Sequence, residues 1–184
     1  MRKLNILVDM DDVLENLLDH WVDELNTQFG TEARTEDIKS WNIEQYFAPH
    51  TQEEVRRVLL TPGFWDKLEA KPDAQILLKL MIEDGHTVKV CTATHYLNVE
   101  PKMKLLLRLY PYLSWRDVII TSDKSFVAGD VMIDDGIHNL ETFDGHRILF
   151  HMPHNANFEE GRISAIRVHN WKELYETICK LAEE

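Results

Sequence analysis

Short apolar runs recur along this chain, and several close on an acid or a threonine. That recurrence is what most limits how it can fold. The first run is NILVD, residues 5–9. Residues 87–92 (TVKVCT), 118–121 (VIIT), 131–134 (VMID) and 147–150 (RILF) resemble it, and residues 165–168 (AIRV) form a weaker sixth. Continuous apolar runs, as opposed to alternating ones, suit strands buried on both faces of a parallel sheet. Helical patterns lie between them at residues 74–83, 99–109 and 171–181, with Pro101 tolerable in the first turn of the second. Strands alternating with helices predict a doubly wound, Rossmann-like α/β parallel sheet, in which ligands sit outside the carboxyl ends of the strands.

The spacing is interrupted once. A simple βαβ unit takes about 30 residues, whereas Asp11 and Thr92 stand 81 positions apart. The intervening stretch reads as an amphipathic helix over 13–29, a loop over 30–46, a helix near 52–60 and a turn at Thr61-Pro62-Gly63. These features predict a small helical cap, residues 15–70, inserted after the first strand of a core made of residues 1–14 and 71–184. Residues 153–161 read as a surface loop.

The 184 residues carry 20 Lys and Arg against 32 Asp and Glu, a net charge of −12. Such a field repels polymeric nucleic acid and anionic membranes. A small anion is then held only by a local cluster of N–H groups, a lysine or a metal. The distant cysteines Cys91 and Cys179 argue against a disulfide scaffold and fit a reducing compartment. No apolar run approaches the ~18 residues of a membrane span, and the run at 4–8 is too short for a signal peptide. A cytoplasmic location is expected.

The strand ends carry the chemistry. In Asp9-Met10-Asp11-Asp12, extended alternation puts Asp9 and Asp11 on one side. Two carboxylates that close need a cation or a shared proton. The plainer alternative is an acidic turn with Asp12 capping the next helix. Asp134-Asp135 follows another apolar strand. Two acidic clusters at strand ends converge on one sheet edge, and oxygen-only donors suit Mg²⁺. Thr92 and the N–H groups after it, Ala93 first, offer a phosphate cradle, and Lys124 offers a counter-charge. Each is commonplace alone, and the order acid pair, Thr, Lys, acid pair is what informs. Lys102 and Lys104 follow Thr92 on a helix and either assist phosphate binding or, the more ordinary reading, are solvated, and the nine histidines lack the spacing of a zinc site. Trp41, Tyr46, Phe47, Phe64 and Trp65 are either the cap's own core or a surface on which a base stacks.

Through DMDDV, CTATH and DKSFVAGDVMIDD the chain resembles the haloacid dehalogenase superfamily of aspartyl-phosphate phosphohydrolases. Within it, VDMDxVL, the PGFW stretch and the late VHNW are similar to the 5′(3′)-deoxyribonucleotidases. Asp12 stands where glycine is common, Ala93 where serine is frequent, and Leu17 where an aromatic often sits. The resemblance implies Asp9 as nucleophile and Asp11 as general acid and base. It implies Mg²⁺ on Asp9, the carbonyl of Asp11 and Asp135, with Asp134 the alternative last ligand. Phosphate would contact Thr92, Ala93 and Lys124. Trp41 is the favoured base contact, with Phe64 and Trp65 beside it. The implied substrate is a small phosphomonoester of the deoxyribonucleoside monophosphate class. Other readings are a phosphatase of the same superfamily acting on a sugar phosphate or a nucleic-acid end, and a receiver-like signalling module. The last is disfavoured because its acidic pair precedes Thr and Lys. Dehalogenation leaves Asp11 without a task.

Overall fold

The computed structural model describes residues 2–184. Six strands, β1 (Asn5–Val8), β2 (Thr87–Thr92), β3 (Val118–Ile120), β4 (Val131–Asp134), β5 (His146–Phe150) and β6 (Ala165–Val168), form one sheet in the order β3-β2-β1-β4-β5-β6. Every pairing is parallel. The continuous apolar runs are explained by the two cores they serve. Ile6, Val8, Val90, Ile133, Ile148 and Phe150 face one cluster, while Leu7, Cys91, Met132 and Leu149, the alternate positions, face the other.

The larger cluster takes the apolar stripes of α3 (Ala74–Glu83), α4 (Val99–Leu109) and α6 (Trp171–Leu181), including Leu78, Leu106 and Ile178. The smaller is closed by Leu140, on α5 (Ile137–Glu141), and Phe143. In chain order, the remaining helices are α1 (Leu17–Phe29) and α2 (Gln52–Arg57), both between β1 and α3. That stretch also contains four short 3₁₀ turns and no strand of the sheet. Its two ends are tied together: Asn16 N–H donates to the Glu69 carbonyl (3.1 Å) and Lys71 N–H to that of Leu14 (2.9 Å).

Three expectations need correction. The helix expected over 13–29 begins only at Leu17, because the preceding backbone is committed elsewhere. Asp12 lies in the left-handed region (φ 58°), and the carbonyls of Val13 and Leu14 accept from Trp171 Nε1 (2.8 Å) and the Tyr110 hydroxyl (2.6 Å). The helix near 52–60 is α-helical to Arg57 and continues as a 3₁₀ turn, Val58–Leu60. The stretch 153–161 holds Asn155, which is fully buried, so it is more than a surface loop.

Candidate active site

Val8 pairs with Ile133, so the chain leaves β1 and β4 with Asp9 and Asp134 side by side. Lys124 lies in a short turn just beyond β3 and reaches past the end of β2 to join them. Its Nζ is 2.5 Å from Asp9 Oδ1 and 2.6 Å from Asp134 Oδ2, and the residue is only 4% exposed. The other Asp134 oxygen accepts from the Gly136 N–H (2.8 Å) and Asn139 Nδ2 (3.0 Å). The Asp135 carboxylate has the His154 ring beside it, with Nε2 3.0 Å away.

Burial pushes the Asp9 carboxyl well above the usual carboxylate range; Lys124 opposes this, and Asp134, Asp11 and Asp135 add to it. Asp135 is raised by burial and by Asp134. Lys124 resists its own burial because Asp9 and Asp134 hold the ammonium in its charged form.

A second charged corner adjoins the first. Lys102 Nζ donates to Asp11 Oδ2 (2.7 Å) and to Thr92 Oγ1 (2.9 Å), and it is 3% exposed. The expectation of a solvated Lys102 is therefore overturned, whereas Lys104 pairs with Glu100 on the open face of α4 (2.7 Å). The signal was present in the sequence: Lys102 falls on the same helical stripe as Leu105, Leu106 and Leu109. Behind this corner is Glu15, fully buried and facing Asp11 and Asp12, with burial pushing its carboxyl well above the usual range. Nothing in the sequence singled it out.

Asp12 does what the plain reading assigns to it. Its carboxylate accepts from the Leu18 N–H (3.0 Å) at the start of α1, and it also pairs with Lys71 (3.6 Å). Burial raises its pKa to about 7, with Lys71 opposing.

Asp9, Asp11, Asp12, Lys124, Asp134 and Asp135 form the floor of a cavity of about 860 Å³, roofed by the stretch between β1 and α3, while Thr92, Lys71 and Glu15 lie outside its lining. Ala93 and Lys102 line it, as do Trp41 and Trp65. Trp41 is 52% exposed and stands edge-on to His138 (5.3 Å) and His154 (4.9 Å). Trp65 is buried with its ring 5.2 Å from Lys102 Nζ. Phe64 does not line the cavity. It is packed in the core against His20 and Trp65, which corrects its expected base contact. His138, His154 and Asn139 also face the cavity, unannounced by any spacing in the sequence.

The donor set fits a hard divalent cation. Asp9, Asp134 and Asp135 each offer a carboxylate oxygen, all within 4.8 Å of one another, with no sulfur or nitrogen among them. Charge fits as well, since the carboxylates of Asp9, Asp11, Asp134 and Asp135 outnumber Lys102 and Lys124 by two. The Asp11 side chain is turned to Lys102 and lies outside that three-carboxylate group.

Comparison with known proteins agrees with this geometry. Residues 2–183 match the family model described as 5′ nucleotidase, deoxy (Pyrimidine), cytosolic type C protein. A 5′(3′)-deoxyribonucleotidase of Bacillus subtilis is 37% identical over 175 residues, covering 95% of this chain and 97% of the relative. Among solved structures, a predicted phosphatase from Clostridium acetobutylicum superposes with TM-score 0.68 at 13% identity, covering 98% of this chain and 100% of that one. A haloacid dehalogenase-like hydrolase from Xanthomonas campestris gives 0.60 at 13% identity, covering 100% and 98%. At such identities the two structures speak for the fold.

Proposed function

The chain belongs to the cytosolic type C family of deoxy (pyrimidine) 5′ nucleotidases and is a phosphomonoester hydrolase with a haloacid dehalogenase-like fold, and from that premise we propose that it dephosphorylates deoxyribonucleoside monophosphates through an aspartyl-phosphate on Asp9. The observation that carries this reading is the Asp9–Lys124–Asp134 cluster at adjacent strand ends, beneath a cavity walled by Trp41 and Trp65. On this reading residues 15–70 serve as the cap over a core of residues 1–14 and 71–184. The family's name supports a cytosolic location. Among the described residues, no helix is long and apolar enough to cross a membrane.

A phosphomonoester dianion repels an attacking carboxylate, so the site must first neutralise it. Lys124 donates to the Asp9 oxygen and opposes the burial that favours its protonated form, and Lys102 with Thr92 and the main chain after it receives phosphate oxygens. Asp9 attacks phosphorus, the bond to the leaving oxygen breaks, and Asp11 gives that oxygen a proton. Asp11 then takes a proton from water as the water attacks the phosphoenzyme and releases Asp9. Asp11 suits this double task because its carboxylate lies next to the Asp9 cluster while answering to Lys102. Asp9, Asp135 and the Asp11 carbonyl would hold Mg²⁺, which would supply further charge neutralisation at phosphate. Asp134 is better suited to support than to ligation, since both its oxygens are already engaged by protein donors.

The test is phosphate release from dUMP, dTMP, UMP and a panel of sugar phosphates, with and without Mg²⁺. A sugar pocket that leaves a 2′-hydroxyl without a partner disfavours UMP by roughly five-fold to a hundred-fold in kcat/KM. Equal rates on UMP and dUMP, or a sugar phosphate as best substrate, would remove the deoxyribonucleotide reading and leave the phosphatase standing.

A further inference from the structure

Asp134 and Asp135 are neighbours at one strand end, yet they are held in different ways. The Asp134 side chain is fixed by its own hydrogen bonds to Lys124, Gly136 and Asn139. Among the described residues the Asp135 carboxylate accepts no hydrogen bond from another residue; its own N–H lies against it and the His154 ring is beside it. A carboxylate left free in this way is available to a metal, but nothing bonded to it sets its aim. The aim has to come from its main chain.

Asn155 grips that main chain, and the His154 ring also lies against it. Asn155 Nδ2 donates to the carbonyls of Asp135 (3.0 Å) and Phe150 (2.8 Å), and its Oδ1 accepts from the Met152 N–H (3.1 Å) and Arg167 Nη1 (2.8 Å). The amide's two donors and two acceptor positions are all used, and the residue is 1% exposed. Arg167 lies on the edge strand β6 and holds the same loop from outside. Its Nη2 donates to the carbonyls of Asn155 (3.1 Å) and Phe158 (2.8 Å), and its Nε pairs with Glu160. A continuous chain of hydrogen bonds thus runs from the sheet edge to the Asp135 peptide.

We propose that Asn155, latched by Arg167, is the positioning residue of the metal centre: it fixes the Asp135 peptide so that the carboxylate stays unbonded and aimed at the cation. This rests on the Mg²⁺ reading above and adds to it a dependence on residues that touch neither metal nor substrate. A loop that merely stabilised the fold would need no bond to the Asp135 carbonyl. Outer-shell partners of metal ligands are worth about 10–100-fold in metal affinity, and this one acts through the ligand's backbone.

The experiment is calorimetric titration of Mg²⁺ into substrate-free enzyme, with the KM for dUMP at saturating Mg²⁺ and thermal unfolding measured alongside. Asn155→Ala is expected to weaken Mg²⁺ binding roughly 10-fold or more while KM at saturating metal stays within about two-fold. Arg167→Met should weaken Mg²⁺ binding less. The double variant should bind no more weakly than Asn155→Ala alone, because both act along one chain of bonds. Unchanged Mg²⁺ affinity in folded Asn155→Ala, or additive losses in the double variant, would overturn the proposal. Should Asn155→Ala fail to fold, Arg167→Met decides alone, and an unchanged affinity there is equally fatal. If the unaltered enzyme binds no Mg²⁺, the metal reading beneath the proposal fails first, which separates the two failures.

Discussion

The floor and the roof of the cavity are built on opposite principles. The floor draws Asp9, Lys102, Lys124, Asp134 and Asp135, with Thr92 supporting Lys102 from behind, from strand ends and from segments just beyond them, far apart in the chain. It buries them and locks most of them through contacts of 2.5–2.9 Å. The roof comes from one continuous stretch of short helices and 3₁₀ turns, and its cavity-facing ring, Trp41, is half open to solvent. A buried charge has no alternative partner once its own is removed, whereas an exposed ring has water. The difference teaches a division of labour: the floor fixes the reaction within narrow tolerances, and the roof adjusts which molecule is presented to it.

The largest effect expected is on the floor. Asp9→Asn should lower turnover by on the order of 10⁴-fold, as removal of a nucleophile does elsewhere. Acid quenching during turnover of labelled substrate should trap a phosphoenzyme in the unaltered protein and none in the variant. Near-normal turnover would break the comparison outright, because the floor would then not be where the chemistry occurs.

Lys124→Met comes next and tests whether the floor's charges are mutually dependent. A surface lysine would be lost without structural consequence, and that is how Lys124 reads in isolation from sequence. Buried between Asp9 and Asp134, it should instead cost about 3–5 kcal/mol of unfolding stability, since two buried carboxylates lose their partner. Activity should fall with it. Added Mg²⁺ should raise the Tm of the variant more than that of the unaltered enzyme, because the cation takes over part of the missing charge. A variant with unchanged Tm would mean that the floor is not the interlocked unit described here.

This division also explains what could be read from the sequence. A parallel strand buried on both faces leaves an unmistakable apolar run, and the residue ending it lies at the ligand edge whatever the rest of the fold does. Asp9, Thr92 and Asp134-Asp135 were legible for that reason. Lys102 was not, although its place on the stripe of Leu105, Leu106 and Leu109 marked it as inward-facing. A lysine on an apolar stripe is ordinarily expected to carry its charge out to solvent. Asn155 was invisible in principle, because a polar residue in a Pro- and Asn-rich stretch carries no periodicity and its partners Asp135 and Arg167 are remote in sequence. The roof defeats pattern reading for a related reason. Phe64 and Trp41 both lie in irregular turns, where no repeat distinguishes the ring in the core from the ring on the cavity.

The smallest effect belongs to that cavity ring and is the sharpest test of the roof. Trp41 touches His138 and His154 edge-on and is otherwise open, so little packing depends on it. Trp41→Ala should therefore leave Tm close to that of the unaltered enzyme, in contrast to Lys124→Met. Base stacking on an aromatic ring contributes about 1–3 kcal/mol, so kcat/KM for dUMP should fall roughly five-fold to a hundred-fold. A small aryl phosphate, which has no base to stack, should be hydrolysed at an unchanged rate. Equal losses on both substrates would show that Trp41 acts on the floor through the His154 ring beside Asp135, and the separation of reaction from selection would have to be redrawn at that histidine.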